Sequence, residues 1–408
     1  MKRSRTVLMN RLRNPLAPVW VIVLCFSTGQ GVVWSVLALY AVSLGAGMSV
    51  IGLLLATYGG TRIFLNLPAG AASQRWGRRR ILLTGSVLVL VGAVVGALAL
   101  DLTWLFAAVI LQGVGGAMYT TAALASAADL GNPRSRVGDM AGYQGAILVG
   151  SSIGPALGGL VAEFAGFPTT FLIQGAIMAL ALPALLRFPG PKGTHQPGSK
   201  TKAAGPGPGP RLLPALFSLM SVHFAVFFAR LGATWTLMPL IMVQKLGYGA
   251  GMVGLVITAG AIASLVVLPF AGLAAVRLGR RRLVIVSSTG CLLGLSMLAL
   301  SLSGGATGLV SVWLSSILLG LANGFTAPSV TAMVADTVPA DRLGAAMGFV
   351  RTVTDAAVIS APLAIGLTVA IPGIGFPGGI AIAALVYAGA LGIFVTSSRK
   401  QSDRPDYS

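Results

Sequence analysis

Charge is what this sequence has least of. Only 9% of its 408 residues are charged, against a hydrophobic share of 55%, whereas a soluble domain carries about 25% charged residues. A chain so poor in charge cannot clothe a water-facing surface, which excludes an ordinary soluble domain. Cysteine is nearly absent too. Cys25 and Cys291 stand far apart, so there is no disulfide framework and no metal-ligand spacing. The two histidines, His195 and His223, cannot hold a metal alone. No nucleophile–base constellation and no phosphate-binding Gly-Lys motif stands in the chain, which argues against an enzyme or an ATP-driven pump, and no cofactor is expected. Transmembrane strands would need alternating segments of about 10 residues, and none is evident.

What fills the chain instead is apolar runs, each long enough to cross a hydrocarbon core of about 30 Å. They fall near 17–43, 48–73, 80–100, 103–129, 139–164, 168–188, 212–244, 249–276, 283–303, 307–336, 343–370 and 376–397. The expected fold is therefore an all-α membrane protein with twelve transmembrane helices. The net charge of +19 does not mark a nucleic-acid binder, because the basic residues sit in alternate loops. They precede the first run (Lys2, Arg3, Arg5, Arg11, Arg13) and follow the second (Arg75, Arg78, Arg79, Arg80), fourth (Arg134, Arg136), eighth (Arg277, Arg280, Arg281, Arg282) and tenth (Arg342). More lie in the centre (Lys192, Lys200, Lys202, Arg211) and at the end (Arg399, Lys400, Arg404), while the opposite loops hold only Lys245. This positive-inside pattern predicts a plasma-membrane protein with both termini in the cytoplasm. The basic start before an apolar run imitates a signal peptide, but the run is too long for one and reads as a retained helix.

The chain repeats itself. The stretch from Gly70 to Arg80, GAASQRWGRRR, returns half a chain later from Gly272 to Arg282 as GLAAVRLGRRR. Ala128-Asp129 and Ala335-Asp336 match at nearly the same offset, as do Pro155 and Pro362. Two six-helix bundles follow, 1–188 and 212–408, joined by a cytoplasmic linker at 189–211 whose Gly-Pro run cannot bury a core. Repeat-built transporters bind substrate between the repeats near the midplane.

These residues resemble the signature loop of the major facilitator superfamily, roughly G-x-L-a-D-R-x-G-R-R. Gly70, Arg75, Gly77, Arg78 and Arg79 match it, as do Gly272, Arg277, Gly279, Arg280 and Arg281. The glycines should permit a tight cytoplasmic turn, and the arginines should pair with acids or helix C-termini on the other half. The motif's Asp position holds Gln74 in one copy and Val276 in the other. A second match, Gly150-Ser-Ser-Ile-Gly154-Pro155-Ala-Leu-Gly158-Gly159, is similar to the antiporter motif of the drug-exporting branch. Its glycines at intervals of four make a smooth stripe suited to a hinge at the interface between halves, and Pro155 should kink the helix. The arginine that such exporters often carry in span four is Val109 here.

Charges inside spans mark function by default. They are Arg62, Arg230, Arg351 and Asp355, of which only the last is an acid near mid-membrane. Arg62 and Asp355 should lie at matching depths of about 16–18 Å, so Arg62 or Arg351 is expected to pair with Asp355, the candidate for a coupling proton. The resemblance implies that spans one, four, seven and ten line a cavity. Its polar and aromatic candidates are Gln30, Trp34, Gln112, Tyr119, His223, Trp235 and Asn323, beside Arg230. Three buried arginines against one aspartate favour a small neutral or anionic amphiphile over a cation. The leading expectation is a proton-coupled exporter, monomeric in the lipid bilayer. An uncoupled facilitator, an importer of a small organic anion, and a receptor that does not transport remain as alternatives.

Overall fold

The computed structural model describes residues 17–130, 136–188, 213–339 and 342–402. The expected linker at 189–211, with His195, lies outside the described residues, as do the basic N-terminal residues. Every described secondary-structure element is a helix, and twelve are long and apolar enough to cross a membrane. These spans are Pro18–Ser43, Met48–Trp76, Arg78–Ala97, Leu102–Ala127, Gly142–Ala165 and Phe167–Leu186, then Leu216–Gln244, Ala250–Leu278, Arg280–Ser303, Gly305–Thr337, Ala346–Val369 and Gly375–Ser397. Their outward faces are apolar, with Phe64 at 80% exposure and Val276 at 85%. Lipid accepts such a surface without penalty. Within the spans, many serine and threonine hydroxyls donate back to their own helices, as Thr28 does to the Leu24 carbonyl and Ser86 to that of Leu82, which satisfies them within hydrocarbon.

Two spans are not simple α-helices. The first breaks into Ala17–Trp34 and Leu37–Ser43. The seventh runs Leu213–Ala229, passes through a π-helical stretch at Arg230–Leu237, and resumes at Met238–Gln244. Pro239 follows the π stretch directly and opens the resumed helix, where its ring and missing N–H disfavour a regular α-helical turn before it. Pro155, by contrast, sits inside a helix that continues without a break from Arg136 to Ala165.

The chain forms two compact units, residues 1–37 with 60–195, and residues 38–59 with 196–408. The first part of span two, 48–59, thus belongs with the second unit. There a Cβ on Gly52 would meet the Pro362 carbonyl oxygen at 2.5 Å, and one on Gly366 would meet the Met48 carbonyl oxygen at 2.6 Å. Backbone packs directly on backbone along this seam. The first unit has a core of its own, built around Ile22, Phe26, Tyr119, Tyr143 and Phe188. Spans three and four cross there through Gly85 and Gly115, where a Cβ on either would lie within 3 Å of the other's carbonyl oxygen.

Candidate functional site

The two signature loops adopt the same turn. Gly77 has φ 92° and Gly279 has φ 79°, a region that side chains avoid. Each ends one span and starts the next at once, so Arg78 and Arg280 open their helices. A cation in a first helical turn opposes the helix dipole at a cost of about 0.3–1 kcal/mol. The fold answers it twice in the same way: Arg78 Nε lies 3.0 Å from Asp129 Oδ2, and Arg280 pairs with Asp336. Arg79 also donates to the Leu186 carbonyl at the end of span six. All these partners lie in the arginine's own unit, not on the other half as the motif had implied. Asp129 and Asp336 thereby supply acids that the Gln74 and Val276 positions lack. Gln74, Arg75 and Arg277 are exposed. The leading glycines do not crowd: a Cβ would meet nothing within 4 Å at Gly272, and only Thr121 at 3.7 Å at Gly70.

The span-five stripe is packed tightly. A Cβ on Gly150 would meet the Leu24 carbonyl oxygen at 2.7 Å, on Gly154 the Gly31 Cα at 2.6 Å, and on Gly158 the Val32 carbonyl oxygen at 2.1 Å. Pro155 and Gly159 are buried beside it. All these contacts are with span one of the same unit. The stripe was expected at the interface between halves, and the nearest contacts of its glycines are with span one.

The intramembrane charges fall in different settings. Asp355 is 3% exposed, and its Oδ2 lies 3.7 Å from Arg351 Nε one helical turn away. Beside it, Thr354 Oγ1 lies 2.9 Å from His223 Nε2, tying span seven to span eleven. Arg62 is half-buried in the first unit. Arg230 is half-buried in the second, and among the described residues its guanidinium has no acceptor. An arginine inside a span costs about 2.5–3.5 kcal/mol on insertion scales, so an unanswered one is retained against a standing penalty.

The expected cavity residues divide. Trp34 Nε1 donates to Gln30 Oε1, four residues earlier on the same helix, at 2.8 Å. Gln112 and Gln174 are both buried and exchange two amide hydrogen bonds of 2.9 and 3.2 Å. Tyr119 stacks on Phe26 with ring centroids 4.3 Å apart. Sequence placed Gln112 and Tyr119 on a cavity wall, but the structure uses both side chains in packing between helices of the first unit. Nothing in the sequence singled out Gln174, because an interhelical amide partner follows no spacing rule.

Arg230, Trp235 and Asn323 do come together. They line one pocket inside the second unit with Thr234, Ile257, Ser264, Leu319, Cys291 and Tyr387, around about 520 Å³ of space not filled by atoms, some of it open. Spans eight and ten close one side, since a Cβ on Gly320 would meet the Gly260 carbonyl oxygen at 2.0 Å. Asn323 Nδ2 reaches Ser264 Oγ at 3.4 Å, and its Oδ1 is buried without a partner among the described residues. No acidic residue lines the pocket. Among the described residues no cluster of three metal-ligating side chains occurs.

Known proteins share both sequence and fold with this chain. A stretch of 135 residues is 36% identical to an MFS-type transporter, ppzB, of Metarhizium rileyi, covering 32% of this chain and 28% of that one. Another of 194 residues is 34% identical to a protein of Lactococcus lactis described as a multi-drug resistance efflux pump PmrA homolog, covering 44% and 45%. The chain thus spans less than half the length of these curated relatives. Among solved structures, a D-xylose-proton symporter superposes with a TM-score of 0.74 at 16% identity, covering 93% of this chain and 96% of that one. A bacterial homolog of the lysosomal transporter Spinster, inward-facing and unoccupied, reaches 0.76 at 15% identity, covering 97% and 98%. The sequence model of the Major Facilitator Superfamily matches residues 19–231 and 219–406. With its twelve apolar helices, its duplicated glycine turn and this match over nearly its whole length, the chain is a multi-pass membrane protein that belongs to the Major Facilitator Superfamily.

Proposed function

We propose that this protein is a secondary active exporter, driven by proton exchange, that moves a small neutral or anionic amphiphile by alternating access of its two six-helix halves. It works as a monomer in the plasma membrane with both termini in the cytoplasm. The observation that carries the reading is the duplicated loop. The same glycine-only turn and the same arginine–aspartate pair recur in both halves, and repeat-built membrane proteins use such equivalent halves to open to each side in turn. The direction rests on the span-five motif and on the Lactococcus relative described as an efflux pump.

The coupling proton belongs on Asp355. It is a buried acid in a span, with its Oδ2 3.7 Å from Arg351 Nε, so protonation weakens that ion pair. The test is flux in proteoliposomes, with internal pH read by a trapped dye while neutral and anionic amphiphiles are added one at a time. Wild-type protein should move protons only when a transported compound is present. Asp355→Asn should keep substrate exchange and lose dependence on the pH gradient. Gradient-dependent flux undiminished in that variant would remove the coupling role. Transport insensitive to any gradient in the wild type would leave an uncoupled facilitator.

A further inference from the structure

We propose that the pocket inside the second unit is a carboxylate-binding site, and that the transported compound is a small amphiphilic acid held by Arg230. This names the substrate class of the transporter proposed above and rests on that reading. The guanidinium presents planar, forked donors that fit an oxyanion through two parallel hydrogen bonds. Among the described residues no protein acceptor fills that fork, and no acid lines the pocket. The acid in the neighbouring span, Asp355, lies beside Arg351 instead. Arg230 therefore faces the pocket as a half-buried cation for which no described residue supplies a counterion.

The rest of the wall states what else the ligand carries. Ile257 and Leu319 offer aliphatic surface and Trp235 an indole, so the body of the ligand is apolar and is sheltered there from water. The buried Asn323 Oδ1 has no donor among the described residues. A hydroxyl or N–H on the ligand would answer it, since a buried acceptor left unpaired is costly. Arg230 is also the first residue of the π-helical stretch, a rare geometry that concentrates at functional sites.

An anionic lipid headgroup presents the same oxyanion, so the test separates the two sources. The full chain, purified in neutral detergent, is titrated calorimetrically with salicylate, mandelate and cinnamate, each against its uncharged amide. At least one acid should bind about tenfold more tightly than its amide, a difference of about 1.4 kcal/mol. Arg230→Gln should abolish that preference while leaving the amide's affinity within about threefold. Should that variant fail to fold, Arg230→Lys keeps the charge without the fork and should weaken the acid alone. Asn323→Ala should weaken mandelate and spare cinnamate, which has no hydroxyl. Equal binding of every acid and its amide, or equal weakening of both by the Arg230 variants, would overturn the proposal. So would full displacement of the acids by phosphatidylglycerol micelles, which would assign the anion to lipid. Binding is read without a gradient. An Arg230-dependent acid preference with no flux therefore sinks only the transport reading, whereas coupled flux of neutral compounds with no acid preference sinks only this one.

Discussion

At the scale of single residues, the signature loops show which glycines the fold needs. Gly77 and Gly279 hold a backbone conformation that costs other residues about 1–3 kcal/mol. Gly70 and Gly272 are helical and uncrowded. Replacing each in turn by alanine should separate the two roles. Gly279→Ala is expected to lower the thermal unfolding midpoint of the purified protein. Gly272→Ala should leave it unchanged or raise it, because alanine favours a helix interior by about 0.5–1 kcal/mol. A fall of equal size in both would contradict the turn geometry. The arginine–aspartate pairs are different in kind. The Arg280–Asp336 pair is exposed and the Arg78–Asp129 pair partly so, and exposed pairs are worth about 0–1 kcal/mol. Their contribution is to offset the cations that open each helix rather than to hold the unit together.

At the scale of elements, helix seams are built from glycine facing backbone. In the first unit span five packs on span one through Gly150, Gly154 and Gly158, and in the second span eight packs on span ten through Gly260 and Gly320. Helices in a membrane gain little from burying apolar surface, so close approach and dispersion carry the association. The stripe reads from sequence as suited to a hinge, and its close backbone contacts make it bear on folding as well. Gly154→Ala should cost about 1–3 kcal/mol by overpacking, because its Cβ would lie 2.6 Å from both the Gly31 Cα and the Thr28 carbonyl oxygen. Gly145→Ala on the same helix meets nothing within 4 Å and serves as the control. Thermal denaturation of the two variants side by side checks this, and equal midpoints would show that the seam relaxes freely.

At the scale of the whole molecule, the alternation of basic loops predicts an orientation as well as a count of spans. A reporter fused at residue 195 should report cytoplasm, and one at Lys245, between spans seven and eight, should report the outside. A cytoplasmic Lys245 would overturn the orientation and, with it, the direction of export. The twelve spans were legible because hydrocarbon thickness dictates the length of apolar runs, so their number survives ignorance of every contact. The duplicated loop was legible for a similar reason, since a backbone that only glycine adopts leaves its mark in the letters. Gln112 shows the limit. Its type and span were plain, but whether it faces an opening or another helix depends on how its helix is rotated, and the apolar pattern of a membrane helix does not encode that rotation.

Sequence alone determined what local chemistry and the solvent dictate: an all-helical membrane chain, two repeated halves, glycine turns at Gly77 and Gly279, and charges such as Arg230 and Asp355 placed where they are costly. Only the tertiary structure decided the partners. It brought Asp129 and Asp336 to the loop arginines, Gln174 to Gln112, and Thr354 to His223, and it left Arg230 facing a pocket with Asn323 and Trp235. The physical reason is one of range. Span length, turn conformation and desolvation cost belong to a residue and its neighbours in the chain. A hydrogen bond between helices depends on the rotation and depth of both, and many distant side chains fix those together.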